Sequence, residues 1–131
     1  MTYADKAEGI FSRGFNCAQA VLGAFAEEYG LTFAQAMRVA SSLGGGIGQS
    51  GEACGAALGM VMALGMAEGY DTDPDMDTKN SHTARVKEAM DAFRTAFGHM
   101  ACDDLRVVGD RSVCVRLVRF AAEEAGRATG K

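Results

Sequence analysis

Glu52-Ala53-Cys54-Gly55-Ala56-Ala57-Leu58-Gly59-Met60-Val61-Met62-Ala63-Leu64-Gly65-Met66-Ala67-Glu68 is the stretch whose reading decides the fold. No charge interrupts it between Ala53 and Ala67. A bilayer span needs about 20 apolar residues, so this run is too short to cross a membrane and reads as a buried helix. Its interior glycines, Gly55, Gly59 and Gly65, each cost about 1 kcal/mol relative to alanine in a helix. With Ala56 and Ala57 they leave little side chain on part of the surface, which predicts neighbouring backbones packed tightly against it.

Outward from this segment the helical period continues and strand signals are scarce. Upstream, the apolar spacing of Ala7, Ile10 and Phe11 predicts a helix over Tyr3–Ser12, broken by Arg13-Gly14-Phe15. Asn16 is suited to cap a second helix that carries Ala20, Val21, Ala24 and Phe25 and stops at Gly30. Thr32 caps a third, with Phe33, Ala36, Met37 and Ala40. Gly44-Gly45-Gly46-Ile47-Gly48-Gln49-Ser50-Gly51 then forms a loop open to backbone angles other residues avoid. Downstream, residues 69–77 read as an acidic turn, and Val86, Ala89, Met90, Phe93 and Phe97 place a helix over about 78–97. Residues 98–104 read as a loop or short turn. Asp110 or Ser112 caps the last helix, which carries Cys114, Leu117, Val118 and Ala121 to about Ala125, with a frayed tail after Gly126. The expectation is an all-α fold: one domain over residues 1–131, about six helices around the Gly/Ala-rich one.

The chain has 131 residues, 48% hydrophobic, with a net charge of −4, enough for one sizeable core. Acids and bases are interleaved and no basic stripe tracks phosphates, so nucleic acid is not an expected partner. Membrane association is not expected either. Met1-Thr2-Tyr3-Ala4-Asp5-Lys6 lacks the basic-then-apolar order of a signal peptide, so a cytoplasmic location is the default expectation.

Three motifs tempt and fail. Gly46-Ile47-Gly48-Gln49-Ser50-Gly51 matches G-x-G-x-x-G, but that motif works after a strand, and residues 33–42 read as helix. Asp71-Thr72-Asp73-Pro74-Asp75-Met76-Asp77 starts like a calcium loop, yet Met76 stands where the turn wants glycine and His82 where a bidentate glutamate belongs. His99 and Cys102 have spacing that would let them share a metal, although a lone loop histidine is more often a hydrogen-bonded surface residue.

The four cysteines, Cys17, Cys54, Cys102 and Cys114, each lie at or just before an expected helix start. Free N–H groups and partial positive charge there favour thiolate, the form that attacks disulfides and binds metals. With no signal peptide and a core-competent length, a structural disulfide framework is not expected. Reduced thiols, a metal site or a working dithiol remain, beside the plain reading of cysteine as a small buried hydrophobe. No Cys-x-x-Cys occurs, so neither a thioredoxin motif nor haem attachment is available.

In order, Cys17, then Cys54-Gly55-Ala56-Ala57-Leu58-Gly59 behind the Gly44–Gly48 loop, then Cys102 after Phe97-Gly98, then Cys114, resemble the redox-active protein family named for its C–GCAxxG–C–C pattern. The local order here is Cys-Gly-Ala, with Ala53 before the cysteine, and the resemblance runs from about Phe11 to Ala122. It implies a helical protein, mostly bacterial or archaeal, whose redox activity rests on its cysteines. Longer relatives are joined to haem-bearing or iron–sulfur modules, which implies a redox partner protein.

Two chemical readings follow. In one, Cys17, Cys54, Cys102 and Cys114 converge to bind an iron–sulfur cluster or a metal ion, for which four thiolates are the usual count. In the other, a pair cycles between dithiol and disulfide, with Cys17 or Cys54 attacking and Cys102 or Cys114 resolving. Glu52, Asp103 and Asp104 would raise nearby thiol pKa values, and Arg13 or Arg111 would lower them. A third reading, from another class, is a helical binding or assembly module, such as a homodimer, whose cysteines only pack.

Overall fold

Three helices begin with the same reciprocal device. In α1 (Tyr3–Ser12) the Asp5 N–H donates to the Thr2 hydroxyl, and the Thr2 N–H donates back to the Asp5 carboxylate. Asn16 and Gln19 do the same for α2 (Cys17–Phe25), and Thr32 and Gln35 for α3 (Phe33–Ala40). Each box satisfies two backbone donors that a helix start otherwise leaves open. A 3-10 turn, Glu27–Tyr29, follows α2 and ends at Gly30 with φ of +89°. A second, Ser41–Leu43, follows α3.

The computed structural model describes residues 1–130. After the glycine loop come α4 (Gly55–Glu68), α5 (Met76–Phe97, capped by Asp75), the four-residue α6 (Cys102–Leu105) and α7 (Arg111–Ala128, capped by Asp110). The fold is an all-α bundle. Among the described residues the only β pairings are two isolated bridges, so the strand that a dinucleotide motif would need is absent. No described helix is long and apolar enough to cross a membrane.

α4 is the centre: Ala56, Ala57, Gly59, Met60, Ala63 and Leu64 are buried, and it packs against α2, α7 and α5. α2 and α4 meet closely at Gly59, where a Cβ would stand 2.8 Å from both the Ala18 carbonyl oxygen and Val21 Cβ. Gly55 is similarly enclosed, within 3.4 Å of Cys17 Cβ. Gly65 departs from the expectation of close packing: nothing lies within 4 Å of where its Cβ would be. Phe25, Phe93, Leu22 and Val118 complete one continuous core with Met60 and Leu64.

Two expected boundaries moved. The fourth helix starts at Gly55 rather than Glu52, because residues 52–54 run extended to pair with residues 100–102. The last helix continues through Gly126 to Ala128, since Gly126 packs against the Tyr3 ring and Ala125 is fully buried.

A candidate thiol site

The glycine loop sets the site's shape. Gly45, Gly46, Ile47, Gly48 and Gln49 all have positive φ, from 59° to 74°, which winds the chain left-handed. Hydrogen bonds from Gly48 N–H to the Ser42 carbonyl (2.8 Å) and from Glu52 N–H to the Gly46 carbonyl (3.0 Å) hold the winding. A β-branched residue is strained there, and Ile47 accepts that conformation with a side chain 43% exposed. Only glycine fits at position 46: a Cβ would stand 2.5 Å from Glu52 N and 2.8 Å from Cys102 Cβ. The loop is thereby pressed against the second half of the cysteine set.

Cys54 and Cys102 are joined through their backbones. Cys54 N–H donates to the Met100 carbonyl (2.8 Å), and Cys102 N–H to the Glu52 carbonyl (2.6 Å), flanking the Ala53–Ala101 antiparallel bridge. Each cysteine follows one bridge residue, so the two leave the ribbon on the same side. Cys54 is the N-cap of α4, and Cys102 is the first residue of α6.

Cys17 is the first residue of α2, and its position is fixed from α3. Asn16 Nδ2 donates to the Ala40 and Ser41 carbonyls, and Gln19 Nε2 donates to Met37 (2.8 Å). Cys114 lies in the first turn of α7. The two are neighbours: each is the largest single influence on the other's acidity. Cys17 also experiences the charges of Cys54 and Cys102, so all four sulfurs occupy one electrostatic neighbourhood. None is in a disulfide.

Their acidities differ for physical reasons. Cys114 is lowered to about 6, first by the neighbouring Cys17 thiol and then, against burial, by Arg111 and Arg106, with Asp110 opposing. Cys17 is raised, by its neighbour Cys114 and by burial. Cys54 is raised by burial, which outweighs the Ala57 and Ala56 N–H groups at the start of α4. Cys102 is raised by burial, partly offset by Arg106. A helix start favours thiolate at Cys17 and Cys54, but at these two positions burial opposes it, whereas the half-buried Cys114 has two arginines beside it.

Other expected groups fall elsewhere. Arg13 stacks over Phe15 and Phe33 instead of facing a sulfur. His99 is exposed, and Asp75 of the acidic turn caps α5. Among the described residues, no three His, Cys, Asp or Glu side chains are gathered closely enough to hold a metal ion. The cysteines suit a four-thiolate centre in number, and all four act on one another electrostatically. Sequence reading missed Arg106 and Asp110. The cap role of Asp110 was visible, but its proximity to sulfur depends on the turn at Val107–Asp110.

A family model described as "Putative redox-active protein (C_GCAxxG_C_C)" matches residues 15–128. The chain belongs to this family. In this member of the C_GCAxxG_C_C family, the two outer cysteines of the pattern influence each other's acidity most, and the matched span contains all four. No curated protein and no solved structure matches the chain.

Proposed function

We propose that the protein exchanges electrons as a dithiol, with Cys114 the attacking thiolate and Cys17 the resolving thiol. The mutual influence of Cys17 and Cys114 carries this reading, because it favours one sulfur as thiolate with a protonated partner beside it. The oxidant is a disulfide. Cys114 sulfur attacks one sulfur of that bond, forms a mixed disulfide and expels the other as thiolate. Cys17 loses its proton to solvent, attacks Cys114 sulfur and releases the second substrate thiolate. The substrate gains two electrons, and Cys17 and Cys114 become a disulfide. Cys54, 2% exposed, contributes packing and field instead of attack.

A second reading has one observation in its favour, the mutual influence of all four sulfurs. In it, Cys17, Cys54, Cys102 and Cys114 close around an iron–sulfur cluster or metal ion, which would supply one-electron chemistry and pass electrons to a redox partner protein. One experiment separates the readings. Protein purified without oxygen is assayed for visible absorption, iron, zinc and acid-labile sulfide, then for free thiols before and after equilibration with an oxidising small disulfide. The dithiol reading predicts colourless, metal-free protein that loses two of its four thiols in one step. A brown protein with stoichiometric iron and sulfide contradicts it in favour of the cluster. Four thiols that stay reduced leave a packing role, as in a binding or assembly module.

A further inference from the structure

Arg111 is the first residue of α7, three before Cys114, and so lies on the same helical face. Its guanidinium is held 4.4 Å over the ring of Phe11, which is buried at the end of α1. Its charge acts on Cys114 more strongly than that of Arg106. Arg106 is already engaged with Asp103, at 3.2 Å. Asp110 is likewise occupied, accepting from the Ser112 N–H and hydroxyl. Arg111 makes no ion pair among the described residues. A planar fork of donors is thus fixed by stacking beside the reactive sulfur, with its hydrogen-bonding edge unspent.

We propose that Arg111 selects the substrate: the disulfide that Cys114 attacks carries a carboxylate close to its sulfurs, and the guanidinium binds that carboxylate. This rests on the dithiol reading above. A stacked guanidinium is suited to bidentate carboxylate recognition, and attraction at the encounter raises the association rate. Open grooves of about 480, 450, 380 and 310 Å³ lie elsewhere and are lined by no cysteine, so they do not supply this selectivity.

The test uses three probes on the reduced full-length chain: 3,3′-dithiodipropionate (anionic), 2-hydroxyethyl disulfide (neutral) and cystamine (cationic). Each rate is divided by that of a neutral small thiol with the same disulfide, which removes intrinsic reactivity. The normalised anionic-to-neutral ratio is independent of how much thiolate is present, so an effect of Arg111 on Cys114 acidity cancels. The expected ratio is about tenfold, falling as salt is added, with cystamine slowest. Arg111→Gln brings the ratio to about 1 and Arg111→Lys retains part of it, with circular dichroism confirming that both fold. A wild-type ratio near 1, or a tenfold ratio that survives in Arg111→Gln, overturns the proposal while leaving the dithiol reading intact. Failure of all three disulfides to oxidise the wild type overturns both.

Discussion

Cys17, at the first position of α2, lies close enough to Cys114, in the first turn of α7, for each to set the other's acidity, which links two helices from opposite ends of the chain. Their interaction divides their acidities: Cys114 is lowered to about 6, and Cys17 is raised. Alkylation of Cys114 by iodoacetamide, followed by mass spectrometry, is expected to rise through about pH 6 in the wild type. In Cys17→Ala the midpoint should move up toward the ordinary thiol value of about 8.5. The sign for stability follows. Cys114, with a depressed pKa, contributes stability that is full above the unfolded thiol value and lost as pH falls through about 6. Cys17 works oppositely, contributing below the unfolded value and losing that contribution as pH rises above it.

The central helix offers a matched pair of substitutions. Gly59→Ala gains about 1 kcal/mol of helix propensity. Its Cβ, however, would stand 2.8 Å from the Ala18 carbonyl oxygen and Val21 Cβ, and such overpacking costs about 1–3 kcal/mol. Net destabilisation is expected in urea unfolding. Gly65→Ala meets nothing within 4 Å, and should stabilise by about 0.5–1 kcal/mol. Equal effects at the two positions would contradict the α2–α4 contact described above.

The glycine loop permits a similar comparison. Gly48→Ala, at φ of +59° with open space around it, should cost only the left-handed penalty of about 1–2 kcal/mol. Gly46→Ala carries that penalty and also a clash with Glu52 N and Cys102 Cβ. It is expected to destabilise further, by about 2–3 kcal/mol in all, and to change the alkylation rate of Cys102, which Gly48→Ala should leave near the wild-type value.

Most of the fold was legible because its signals are local. Asn16, Thr32 and Asp110 announce helix starts by their own chemistry, and the apolar period of α1, α3 and α5 reports which faces turn inward. Gly65 was misread for the converse reason: a glycine in a helix looks the same in sequence whether a neighbour approaches it or not. The site was legible as four cysteines at or near helix starts, but not as a pair. Which sulfurs are neighbours depends on long-range placement, through the Ala53–Ala101 bridge, the Asn16 bonds to the end of α3 and the left-handed run at residues 45–49. Burial at Cys17 and Cys54, which raises both thiols, is a property of the packed bundle and invisible in their flanking residues.

The most direct test of the central claim is a peptide map of the reduced protein after oxidation by one equivalent of a small disulfide, with free thiols blocked before digestion. A single cross-link between the Cys17 and Cys114 peptides, with Cys54 and Cys102 recovered as blocked thiols, is the predicted result. A cross-link between any other two cysteines, or no cross-link at all, would contradict the account.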